Sequence, residues 1–116
     1  MVNNTIFLFV KIIFLNLIFS LIRRLCMKIR AHILVSGRVQ GVYFRQNTLI
    51  EAQNLGVNGW ARNLMDGRLE AVFEGEEHSV KTLVNYCRQG PPAARVVTLY
   101  VSYGPFKGEF SNFTTL

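Results

Sequence analysis

The chain has 116 residues, half of them hydrophobic, with 13 Lys or Arg against 7 Asp or Glu and a net charge of +6. That length holds one domain, or one domain with an appendage, and two cysteines are too few for a disulfide-stapled scaffold. Three cations and no anion precede Met27, while ten cations and seven anions follow, which leaves only +3 on the rest of the chain. So mild a surplus suits a small anionic ligand and argues against a nucleic-acid-binding surface.

Residues 1–26 read as an extension rather than as part of the domain. "TIFLFVKIIFLNLIFSLI" (Thr5 to Ile22) is apolar apart from Lys11 and Asn16, and at 18 residues it is barely long enough to span a bilayer, which takes about 20. It lacks the basic start and small-residue cleavage site of a signal peptide. The preferred reading is an over-extended start, with Met27 opening the domain. The second is a membrane anchor, for which Arg23 and Arg24 would keep the domain on the cytoplasmic side.

From Met27 onward the periodicities are clear. "KIRAHILVS" (Lys28 to Ser36) alternates, placing Ile29, Ala31, Ile33 and Val35 on one face of a half-buried strand. Phe44, Thr48, Leu49, Ala52 and Leu55 then recur at helical spacing, and Gly56 is the stop signal. "VNGWARN" (Val57 to Asn63) and "RLEAVFEG" (Arg68 to Gly75) read as strands joined by a hairpin at Asp66-Gly67. A second helix carries Val80, Leu83, Val84 and Cys87 at i, i+3, i+4 and i+7, with Glu76 and Glu77 suited to its positive N-terminus. "GPP" (Gly90 to Pro92) ends it, "RVVTLYVSY" (Arg95 to Tyr103) is a fourth strand, and "GEFSNFTTL" (Gly108 to Leu116) holds a short last one. The order predicts an α+β fold: a ferredoxin-like βαββαβ open sandwich, with two helices on one face of an antiparallel sheet and a short C-terminal strand. Cys26 and Cys87 lack metal-ligand spacing and read as plain thiols of a reducing compartment. The isolated His32 and His78 read as solvent-facing or satisfied.

Two places carry chemistry. "GRVQGVYFR" (Gly37 to Arg45) lies between the first strand and the first helix of the domain. Gly37 and Gly41 open backbone conformations closed to other residues and permit close approach to a ligand. The amides of Gln40, Gly41, Val42, Tyr43, Phe44 and Arg45 lead into a helix N-terminus, where unpaired N–H groups and the helix dipole favour an anion. The guanidinium of Arg45 matches two phosphate oxygens at once. The competing reading is a glycine corner followed by a surface arginine. Asn63 ends a strand before the hairpin; it either turns the chain or uses its donor and acceptor to hold a water against a bound phosphoryl group.

The two-part pattern "GRVQGVYFR…GWARN" resembles the signature regions of the acylphosphatase family, and the resemblance extends over nearly all of Met27 to Leu116. "DGRLEAVFEG" and "GPPAARV" fall where family members carry similar segments. The resemblance implies hydrolysis of the carboxyl-phosphate bond of a small-molecule acyl phosphate, with Arg45 binding the phosphate and Asn63 positioning the water. Such a reaction starts from a good leaving group, so it needs charge neutralisation and an aimed water more than a strong nucleophile. The expectation is therefore no cofactor and no metal, inhibition by inorganic phosphate and sulfate, no nucleic-acid partner, a monomer, and a cytoplasmic location, with membrane contact only through a genuine N-terminal segment. The alternative is a non-catalytic ferredoxin-like module that binds phosphate or RNA, or that regulates a larger machine.

Overall fold

The structure is a computed structural model and describes residues 4–116, without the side chains of residues 24–26. The readings of Arg24 and of the Cys26 thiol thus lie outside the described residues. The elements in chain order are α1 (Asn4–Cys26), β1 (Lys28–Arg38), α2 (Phe44–Leu55), β2 (Asn58–Asn63), β3 (Leu69–Glu76), α3 (Glu77–Gln89), β4 (Arg95–Pro105) and β5 (Phe113–Thr115).

The five strands form one sheet in the order β4-β1-β3-β2-β5. β1 runs antiparallel to β3 and to β4, and β2 antiparallel to β3. This is the expected βαββαβ arrangement, with β5 added parallel to β2 so that the whole sheet is mixed. Alternation along the strands sends Ala31, Ile33 and Val35 of β1 and Leu69, Ala71 and Phe73 of β3 into one core, where all are fully buried. Phe44, Thr48 and Ala52 of α2 and Val80, Leu83, Val84 and Cys87 of α3 cover it from the helical side. Burial pushes the Cys87 thiol up to about 12, opposed weakly by a contact with the Thr48 hydroxyl, so it stays protonated and inert. His32 is satisfied, with Nε2 2.8 Å from Glu70 Oε2, and His78 is exposed.

Gly37 belongs to β1 itself, at a register irregularity against β4, with φ 123°. A Cβ there would collide with the Arg95 carbonyl oxygen. Its requirement is thus the close passage of a neighbouring strand, which corrects the expectation that it opens the loop to a ligand.

The opposite sheet face is held by polar contacts. Glu70 lies between His32 and Arg62, whose guanidinium approaches it to 2.6 Å. Burial raises the Glu70 pKa, but the hydrogen bonds from His32 and Arg62 overcome this, and the carboxyl lies below its ordinary value. Glu74 is almost fully buried; it accepts the main-chain N–H groups of Lys107 (2.7 Å) and Glu109 (3.1 Å) and faces Arg30. Asn58 Nδ2 donates to the Phe110 carbonyl. These contacts fasten the connection from β4 to β5 across the sheet. Among the described residues, none of α1 belongs to the core.

Candidate active site

The corner between β1 and α2 closes a cleft of about 620 Å³, lined by Val39, Gly41, Tyr43, Phe44, Arg45, Gln46 and Leu49 together with Asn63 and Thr115. Three separate segments meet there: the loop with the first turn of α2, the end of β2, and β5. The loop's shape comes from left-handed backbone at Gly41 (φ 72°) and at Tyr43 (φ 62°, ψ 25°). Left-handed turns at such spacing curl successive N–H groups toward one concave side. Tyr43 is the N-cap of α2 and offers the helix no side-chain bond. The amides of Phe44, Arg45 and Gln46 therefore have no acceptor within the helix, whereas Asn47 N–H reaches the Tyr43 carbonyl at 3.0 Å.

Val42 and Phe44 anchor this loop from below, at 3% and 2% exposure. Gln40 anchors it sideways: its Nε2 donates to the carbonyls of Leu64 (2.7 Å) and Arg68 (3.1 Å), in the hairpin that follows Asn63. Neither Gln40 nor Val42 lines the cleft. Val39, Gln46, Leu49 and Thr115, absent from the site residues the sequence pointed to, do. Gln46 follows from counting the unpaired amides of the first helical turn. No periodicity announces Thr115, which arrives through the parallel pairing of a three-residue strand.

Arg45 and Asn63, 18 positions apart in sequence, line the same cleft. Arg45 Nη1 donates to the main-chain oxygen of Leu116 at 2.8 Å, which uses one of the five guanidinium N–H groups. Asn63 lies half-buried at the end of β2, opposite Leu69. Its Oδ1 is buried without a hydrogen-bond partner among the described residues. Such an atom costs about 1–3 kcal/mol if left unsatisfied, and it is absent from the bonds that close the hairpin: Leu64 N to the Arg68 carbonyl, Gly67 N to the Leu64 carbonyl, and Arg68 N to Asp66 Oδ1. The contacts that close the turn thus come from Leu64, Asp66, Gly67 and Arg68. Among the described residues, no three of His, Cys, Asp and Glu converge as metal ligands.

Unpaired first-turn amides, one guanidinium and one unsatisfied amide oxygen gather at one cleft of a ferredoxin-like α+β protein. The acylphosphatase family model matches residues 31–115. Similar proteins include the acylphosphatase of Pelotomaculum thermopropionicum, 55% identical over 84 residues that cover 72% of this chain and 91% of that protein. The acylphosphatase of Gloeobacter violaceus is 60% identical over 75 residues, 65% of this chain and 81% of that one. Among solved structures, the acylphosphatase of Bacillus subtilis superposes with a TM-score of 0.73 at 32% identity, covering 76% of this chain and 98% of its own. The chain belongs to the acylphosphatase family.

Proposed function

We propose that this cleft hydrolyses the carboxyl-phosphate bond of small acyl phosphates, with Arg45 and the loop amides holding the phosphoryl group and Asn63 positioning the water. The hydrolase activity follows from family membership, and the lining of the cleft supports the residue roles. Curled N–H groups and a guanidinium neutralise the phosphoryl oxygens without needing to reorganise as charge develops. The Asn63 side-chain amide hydrogen-bonds the water and so turns an oxygen lone pair toward phosphorus. The water oxygen bonds to phosphorus, the bond from phosphorus to the carboxyl oxygen breaks, and the carboxylate leaves with its electron pair. The water proton passes to a phosphoryl oxygen of the substrate, since no side-chain base lines the cleft. The observation that carries this reading is the shared lining by Arg45 and the unpartnered Asn63.

The test is release of phosphate from benzoyl phosphate in the presence and absence of EDTA, with inorganic phosphate and sulfate as inhibitors. Activity that survives EDTA and falls competitively with either anion is expected. Activity lost to EDTA and restored by magnesium would refute the mechanism. Competition by both anions is expected because they fit the same amides.

A second reading concerns location. The proposed domain spans residues 27–116 and works in the cytoplasm as a monomer. Residues 4–23 of α1 are a 20-residue stretch with mean hydropathy 2.5 and no burial, the length and composition of a bilayer span. This favours tethering of the domain through α1 when that segment is present in the protein. Carbonate-resistant membrane association of the full chain, lost on removal of residues 1–26, is the expected result for a tether; a full chain that stays in the soluble fraction overturns it.

A further inference from the structure

The N-cap of α2 is an uncommon one. Tyr43 has a left-handed backbone, which side chains larger than Asn or Asp seldom adopt, and such a conformation persists only when its surroundings hold it. One turn into the helix, Asn47 supplies the hold. Its Nδ2 donates to the Tyr43 carbonyl at 2.9 Å, beside its own main-chain N–H at 3.0 Å. Both lone pairs of that carbonyl are thereby used.

The Tyr43 carbonyl and the Phe44 N–H belong to one rigid trans peptide plane and point in opposite directions. Gripping the oxygen on the helix side therefore fixes the N–H on the loop side. Phe44 lines the cleft, and its N–H is one of those left without an acceptor within the helix; Asn47 itself does not line the cleft. We propose that Asn47 is a positioning residue: by clamping the Tyr43 carbonyl it aims the Phe44 N–H at the bound phosphoryl group. This inference rests on the reading of the loop as the phosphate site. It assigns Asn47 a role in affinity without contact to substrate.

The experiment uses the full chain with Asn47→Ala and, to keep the side-chain volume, Asn47→Leu. Inorganic phosphate is titrated by kinetic inhibition and by amide NMR, alongside thermal unfolding. The expected result is an inhibition constant for phosphate raised three- to tenfold, as befits a weakened single hydrogen bond. KM should rise with it and kcat stay within about twofold, the pattern of lost uniform binding. The shift of the Phe44 amide on adding phosphate, present in the parent, should shrink in both variants. If the parent's Phe44 amide responds but both variants bind phosphate like the parent, the inference fails while the site reading stands. If phosphate moves no loop amide in the parent, the site reading fails and takes this inference with it. Asn47→Leu decides alone if Asn47→Ala does not fold.

Discussion

Replacing Asn63 with alanine separates chemistry from architecture more sharply than any other substitution in the cleft. The side chain makes none of the bonds that close the hairpin, and its buried Oδ1 has no partner among the described residues. Its removal relieves a desolvation cost of about 1–3 kcal/mol and gives up packing of comparable size. The net change in stability is expected to stay within about 1 kcal/mol. The loop amides, Arg45 and the Gln40 brace are untouched, so affinity for inorganic phosphate should be kept within about threefold, well under the roughly 1.4 kcal/mol that a tenfold loss represents. What disappears is the group that turns the water toward phosphorus. Loss of one such well-placed polar group lowers kcat by about 10²–10³, or about 2.7–4 kcal/mol of barrier. The assay is benzoyl phosphate hydrolysis for kcat, inhibition by phosphate for affinity, and urea unfolding for stability, all on one preparation. A variant with parental kcat and a markedly lower unfolding midpoint would refute the reasoning and return Asn63 to a purely structural role.

Three further outcomes are expected. Arg45→Lys keeps a charge but loses the planar fork, so kcat/KM should fall at least about a hundredfold, about 3 kcal/mol of charge-assisted bonding, with KM rising; near-parental kinetics in a folded variant would remove Arg45 from the site. Glu70, whose pKa in the fold lies below its ordinary value of about 4.5, contributes stability that is present above that value and is lost as pH falls through the depressed one. The unfolding midpoints of the parent and of Glu70→Gln should therefore differ at pH 7 and converge as the pH falls through the depressed value; a gap independent of pH would contradict this. A chain of residues 27–116 should fold and retain full activity, because no described residue of α1 belongs to the core; an unfolded truncation beside a folded full chain would show otherwise.

The parts of this molecule legible in its sequence are those in which a period repeats long enough to be read. Val80, Leu83, Val84 and Cys87 mark the buried stripe of α3 by spacing alone, and these are the four residues that α3 buries. Arg45 and Asn63 stand out by chemistry: a planar cation after a glycine loop, and an amide at a strand end. Their meeting in one cleft depends on β2 and α2 packing beside each other, which the predicted element order contains. The direction of β5 is not legible, because three residues carry no pattern. It is set by the Glu74 carboxylate gripping the amides of Lys107 and Glu109 far from the strand it helps to place. The left-handed turn at Tyr43 is equally silent, since tyrosine gives no local signal for it. Gly37 was legible as a glycine that matters, but its partner, the Arg95 carbonyl, lies on a strand nearly 60 positions away.

The bonds from Gln40 to the Leu64 and Arg68 carbonyls bear on how such a site is transplanted or redesigned. They rivet the glycine loop to the hairpin that follows Asn63, so the spacing between the two is a property of the pair. Moving the nine residues from Gly37 to Arg45 onto another strand-to-helix corner would carry the grip without its reference point. The graft would hold an anion with nothing at a known distance from it. The smallest portable unit is loop plus hairpin, with the glutamine as the dimension line between them.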